Sequence, residues 1–335
     1  MLFWTTVASG FYGVVVLLIE FVLLVLFQAI SGWNDGGNLR GLYDHSGARP
    51  RVLFLLLIAG MAGGPFILGT NVAHTIGNNI IHVEAGDLRV VGAGLLATIG
   101  TLVLSWLARV PTSTSLALVG GLLGAAGHAL GLRAILWHGV WTTVLSLVLS
   151  LVLGFGAGEI LYQIERPMRH SLQDRWYTLW RRITYPLTFV QGLAYGANDA
   201  EKAIGLGATL LRIQHPAAGF QVSFLLVGAC TVIWLVGALL GGKRIAATIG
   251  HEFYQLKPKH VAAIQTTATL VVMGAAAVGG PVSTTQTIDS ALLGVGRDLR
   301  HQRVNRQTAI RMFTAWGLTL PLSAVLGIVA SSLYH

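Results

Sequence analysis

Two stretches decide how this chain is read: GWNDGGN at 32–38 and GANDAEK at 196–202. Each carries an Asn-Asp pair, and each lies in surroundings that are almost wholly apolar. The chain is 54% hydrophobic and 10% charged, whereas soluble domains carry about 25% charged residues. A carboxylate at the centre of a bilayer costs roughly 2.5–3.5 kcal/mol even on the mildest scale, so acids kept there point to function. The motif occurs twice, which says that two halves of one protein build one site.

Apolar runs of about 20 residues recur along the 335 residues, the length a bilayer-spanning helix requires. The short alternating segments of a membrane β-barrel are absent. The expected fold class is therefore an all-α polytopic membrane protein. Ten main segments are predicted, near 5–31, 52–73, 88–108, 113–132, 134–164, 183–210, 217–242, 261–280, 283–296 and 308–333. Broken or re-entrant helices would bring the total to 10–12 spans, and 283–296 is short enough to be one of these. The net charge of +9 is interrupted by apolar runs, which argues against a nucleic-acid partner. Of the 22 Lys and Arg, Arg89, Arg133 and Arg212 fall on one side of the alternation. Lys202 lies in a motif, and the rest fall on the other side. The positive-inside rule then puts both termini outside the cytoplasm, in a multi-pass protein of the cell membrane. Cys230 stands alone, so no internal disulfide is possible. His251-Glu252 lacks the second His of a zinc-protease motif. The first 30 residues have no basic leader and read as a span, not as a cleavable signal peptide.

The duplication extends beyond the Asn-Asp pair. PTSTS at 111–115 matches PVSTT at 281–285, LLG at 122–124 matches 292–294, and TIG at 75–77 matches 248–250, in the same order and at nearly one offset. The predicted organisation is a first repeat at 1–164, a cytoplasmic Arg-rich linker at 165–182 and a second repeat at 183–335. With about five segments per repeat, an odd number, the second repeat enters the membrane inverted. Inverted repeats place a substrate near the midplane where they meet.

The residue types suggest how. Gly32, Gly36, Gly37, Gly196 and Gly205 would let the helices break around the acids, exposing carbonyls. Asp35 and Asp199 add carboxylates, and Asn34, Asn38 and Asn198 add neutral oxygens. Hard cations want such ligands; alternatively each Asp takes a proton. The Pro-Ser-Thr motifs read as helix starts, with Pro in the first turn and Ser or Thr as cap. A helix N-terminus with free N–H groups and hydroxyls is an anion site. Two of them facing inward, through Ser113, Thr114, Ser115, Ser283, Thr284 and Thr285, would enclose a tetrahedral oxyanion.

At these residues the chain resembles the Pit-type inorganic phosphate transporters over nearly its full length. The resemblance rests on GWNDGGN, on YGANDAEKAIG and GGKRIAATIG, and on PVSTTQTIDSALLGVG. It implies an inverted-repeat symporter, not an enzyme, that imports inorganic phosphate with Na+ or H+ and needs no other cofactor. Asn34, Asp35, Asn198 and Asp199 fall on the family's signature positions, with Na+ a candidate at Asp35 and Asp199, and so do both Ser-Thr clusters. Gln286 joins the second cluster as a donor to the anion. Several family positions differ here. Tyr195 stands where the family has His, as do Leu116 and Gln286. Gln265 stands for a Glu, and Glu201 for a Gln.

Beside Lys202, Glu201 reads as its partner at a helix surface or as a proton carrier. Arg40 reads as an anchor at the cytoplasmic end of its helix or as a contact to the anion. Glu20, Glu159 and Asp289 lie in apolar runs, and Asp289, roughly two turns past the anion site, would cap a polar network or take a direct part in ion binding. His74 and His128 read as interior histidines, packed or hydrogen-bonded, rather than ligands. Trp4, Trp106, Trp137, Trp141, Trp176, Trp180 and Trp316 suit an interfacial belt. Other readings remain open at this point: a permease for sulfate or another tetrahedral oxyanion, a non-transporting anion sensor, an intramembrane hydrolase with a Ser or Thr nucleophile, and a homo-oligomeric assembly.

Overall fold

The computed structural model describes residues 2–84, 87–108, 112–165, 173–241, 256–297 and 306–334. Among these the chain is helical, and one isolated bridge, between Ile81 and Ile135, is the sole β feature. The helices are α1 (Leu2–Tyr43), α2 (Pro50–Ile67), α3 (Asn71–Asn78), α4 (Leu88–Leu107), α5 (Thr114–Ala129) and α6 (Trp137–Glu165). They continue as α7 (Gln173–Tyr195), α8 (Glu201–Gln214), α9 (Phe224–Leu240), α10 (Pro258–Ala277), α11 (Thr284–Gly296) and α12 (Arg306–Leu333). A π-helical turn, Gly196–Ala200, joins α7 to α8.

Six of these helices are long and apolar enough to cross a membrane, and α5 and α9 are shorter apolar helices. The polarity is inside-out relative to a soluble protein. Leu18, Leu55, Val152 and Leu270 are largely exposed, while Asp35, Asp199, Lys202 and Asp289 are buried. The chain is thus an all-α polytopic membrane protein with broken and short elements. The segment expected at 52–73 divides: α2 ends at Ile67, and Gly69, with φ of 90°, turns the chain into the eight-residue α3. At 13 residues α11 spans about 20 Å, short of a ~30 Å hydrocarbon core.

Element order repeats along the chain, with α1, α2, α4, α5 and α6 answering to α7–α8, α9, α10, α11 and α12. The packing repeats too. Where α1 packs on α9, α7 packs on α2; where α5 packs on α12, α11 packs on α6; where α1 packs on α4, α7 packs on α10. Glycines set the closest approaches. A Cβ on Gly124 would strike the Ala324 carbonyl, and one on Gly294 would strike that of Phe155. Gly124 and Gly294 differ by 170, Phe155 and Ala324 by 169, so both contacts are the same contact made twice. Small residues let membrane helices approach this closely. Each half therefore packs mainly on the other.

Some expectations are corrected. The first Asn-Asp motif does not break its helix: α1 runs unbroken through 32–38, and only the second motif leaves α geometry, as the π-helical turn. His74 is exposed, its ring against Phe220, and His128 is also exposed, bonding Ser331. Trp316 is buried within α12 rather than at an interface. Residues 173–182 of the expected linker already belong to α7. Arg109 and Pro111, the 166–172 part of the linker, the repeat copy at 248–250, His251-Glu252 and the arginines at 300 and 303 lie outside the described residues.

Candidate functional site

Both Pro-Ser-Thr motifs start helices, as their composition requires. Ser113 and Ser283 are the N-caps of α5 and α11, with φ, ψ of −94°, 116° and −95°, 111°. Their hydroxyls accept from the N–H groups of Leu116 (3.1 Å) and Gln286 (3.3 Å). The next residue in each, Thr114 and Thr284, is buried with a hydroxyl that has no partner among the described residues. The third residue reaches across to the other motif set. Ser115 Oγ donates to the Val282 carbonyl at 2.8 Å, and Thr285 Oγ1 donates to Asp35 Oδ1 at 2.8 Å.

The first Asn-Asp pair forms one network around Thr285. Asn38 Nδ2 donates to Thr285 Oγ1 at 2.8 Å. Asn34 Nδ2 reaches Asp35 Oδ1 at 3.2 Å and the Thr112 carbonyl at 3.1 Å, and Ser31 Oγ donates to Asp35 Oδ2 at 3.3 Å. Every donor found on Asp35 is neutral.

The second pair forms a network around Val282. Asn198 Nδ2 donates to Asp199 Oδ1 and to the Val282 carbonyl, both at 3.0 Å, and Asn198 Oδ1 accepts from the Val282 N–H at 2.9 Å. Lys202 Nζ donates to Asp199 Oδ1 at 2.6 Å and to the Val282 carbonyl at 3.0 Å. Both side chains of this ion pair are 0% exposed. Such a pair is neutral as a unit, but losing either member would strand the other. Asp199 Oδ2 has no partner among the described residues.

The 281–286 stretch thus touches both Asn-Asp motifs, through Val282 and Thr285, and it meets Ser115 of the first Pro-Ser-Thr motif. Glu201 is not the partner of Lys202. Its Oε2 accepts from the Ala73 N–H at 2.9 Å, at the first turn of α3, and it is fully buried. Two residues on from Asp199, a little over half a turn, it points to a different face. Arg40 is part-exposed and lies 3.8 Å from Asp44, consistent with an anchoring role. Glu159 pairs with Arg297 at 2.7 Å. Tyr195 and Gln265 are buried, and Gln265 bonds Gln191 and Thr188.

The sequence reading missed Ser31 and two carbonyls, Thr112 and Val282. These carbonyls are 170 apart and each receives the Asn of its own repeat. The repeat offset alone would have paired them, had backbone atoms been considered beside side chains. Among the described residues no group of three or more His, Cys, Asp or Glu is placed to hold a metal ion. The oxygen donors present are mixed carboxylate, amide and hydroxyl groups. That set suits a hard cation better than a soft transition metal. A cavity of about 350 Å³ lies elsewhere, lined by Gly13, Val16, Arg89 and Tyr334 among others.

The chain is similar to known proteins over both of its halves. The model of the Phosphate transporter family matches residues 31–185 and 168–327. A protein described as "Probable low-affinity inorganic phosphate transporter" from Mycobacterium bovis is 32% identical over 328 residues, 95% of this chain and 78% of that protein. One of the same description from Bacillus subtilis is 32% identical over 324 residues, 94% of this chain and 97% of its own length. Among solved structures, "The sodium-dependent phosphate transporter" superposes with a TM-score of 0.83 at 18% identity, covering 95% of this chain and 98% of that one, a likeness of fold. With the family model covering both repeats and relatives matching almost end to end, this multi-pass membrane protein belongs to the phosphate transporter family.

Proposed function

We propose that the chain imports inorganic phosphate by symport with a cation, sodium or a proton, across the cell membrane. Phosphate binds near the midplane, between the N-termini of α5 and α11. The observation that carries this is the pair of unpartnered hydroxyls, Thr114 and Thr284, at equivalent positions on two capped helix starts. Helix N-termini attract anions through their free N–H groups and their dipole. Ser113, Ser115, Ser283, Thr285 and Gln286 complete the shell. Asp35 and Asp199, with Asn34, Asn38 and Asn198, hold the coupling cations. Lys202 holds Asp199 in position through its 2.6 Å contact. A carboxylate acceptor beside the anion favours phosphate, which keeps at least one O–H near neutral pH, over sulfate, which has none.

Coupling is needed because phosphate is an anion. Moving each negative charge inward against 100 mV costs about 2.3 kcal/mol. Cations bound with it offset that charge and tie its entry to their own gradient. Asp35 is 2% exposed and Asp199 0%, so a cation reaches them only when the repeats move apart. In this reading 1–164 and 183–335 are the inverted repeats, 165–182 is the cytoplasmic linker, and both termini lie outside.

Purified protein in proteoliposomes tests the proposal through radiolabelled phosphate uptake under a sodium or a proton gradient, with excess sulfate. Uptake driven by one gradient and indifferent to sulfate is the expected result. Absence of phosphate uptake under either gradient would sink it.

A further inference from the structure

Asp289 stands apart from the networks just described. It is fully buried on α11, and neither carboxylate oxygen has a hydrogen-bond partner among the described residues. Its place on the helix is informative. Residues four apart share a face, so Asp289 lies one turn beyond Thr285 on the side that meets Asn38 and Asp35 of α1. Gln286 precedes it by three. Two further oxygens in this neighbourhood also lack partners, Asn38 Oδ1 and Gln286 Oε1, and both residues are 1% exposed. Among the described residues, the packed elements bring no cation to Asp289. They are α1, α6 and α10, and the ionisable group found in electrostatic reach is Asp35, another acid. Glu159 of α6 is already paired with Arg297, and His260, Lys257 and Lys259 sit at the start of α10.

A buried carboxylate and two buried amide oxygens, all acceptors, cannot satisfy one another. A proton on Asp289 would serve only one of the other two. A metal cation serves all three at once, and oxygen donors of this kind suit a hard ion. With one carboxylate in the set, a monovalent ion leaves the site neutral inside the membrane, whereas a divalent ion would leave a buried net charge. We propose that Asp289, Asn38 and Gln286 form a sodium site additional to those at Asp35 and Asp199. This deepens the symport reading, on which its coupling role rests. One more sodium then enters per phosphate than the Asn-Asp motifs alone would carry.

The test is binding of radiolabelled sodium to the purified wild type, Asp289→Asn and Gln286→Leu, without phosphate and with potassium as the comparison ion. Gln286→Leu gives the second half the residue that the first half has at Leu116, so the fold is expected to accept it. Asp289→Asn should bind one sodium fewer, and Gln286→Leu should weaken one sodium by about tenfold or more. In proteoliposomes under a tenfold sodium gradient, Asp289→Asn should accumulate phosphate to a steady-state ratio about tenfold lower than wild type. Equal sodium binding by both variants and the wild type would overturn the site, as would an unchanged accumulation ratio. A wild type that binds sodium but moves no phosphate would instead overturn the transport reading and leave the site standing.

Discussion

Asp35 and Asp199 occupy equivalent positions but differ in company, and that difference sets their expected behaviour. Neutral donors surround Asp35, whereas Lys202 neutralises Asp199 at 2.6 Å. Replacing either Asp by Asn should abolish phosphate uptake while the protein still elutes as a folded species on size exclusion. Normal uptake by both variants would contradict their role. Lys202→Met should be costly to the fold, because it strands a buried carboxylate, an effect of about 3–5 kcal/mol. Adding Asp199→Asn should recover most of that loss in thermal unfolding without recovering transport. Thr114→Val and Thr284→Val should do the reverse. Their hydroxyls have no partner to lose among the described residues, so unfolding temperature should barely move. The KM for phosphate should rise roughly tenfold or more for each, since a hydrogen bond to a charged group contributes about 1.5–3 kcal/mol. The site residues were legible because the duplication marks them twice. Ser31 and the partners of Glu201 were not, since a single copy of a residue in an apolar run carries no such mark.

At the scale of elements, α3 is eight residues long, and a carboxylate from the other repeat binds the N–H of Ala73 in its first turn. Helices this short are marginal on their own, so Glu201 should decide whether α3 stays formed. Glu201→Ala should lower stability by about 1 kcal/mol, as loss of a capping acceptor does. It should also raise the labelling rate of a cysteine introduced at exposed His74 in a cysteine-free background. Glu201→Gln keeps an acceptor oxygen and should behave like wild type in both measurements. The helix starts at Ser113 and Ser283 and the shortness of α11 could be read from Pro, Ser, Thr and length alone. The unbroken course of α1 through its glycines could not. Gly32 and Gly36 serve close packing instead, against the backbone at Trp234 and Ala238 of α9, and composition does not distinguish a glycine that bends from one that packs.

For the whole molecule, a tag at the C-terminus should be reached by an impermeant reagent added outside intact cells, and one inserted near 168 should not; the opposite pattern would reverse the proposed orientation. Hydropathy and the repeat offset were enough to fix the fold class and the correspondence of halves, because both are written along the chain. Which half packs on which was hidden, since glycine-mediated contacts leave no mark of their partner. That pairing bears on how the protein is made. Thr112 and Ala117, at the start of α5, are bonded by Thr319 and Ser323 of α12, at 2.6 Å in each case. The ribosome therefore delivers the last helix before the start of α5 is secured. Until then the Thr112 hydroxyl and the Ala117 carbonyl lack these two partners in the bilayer. A chain that stops short of 306 would be a form for membrane quality control to remove, not half a transporter.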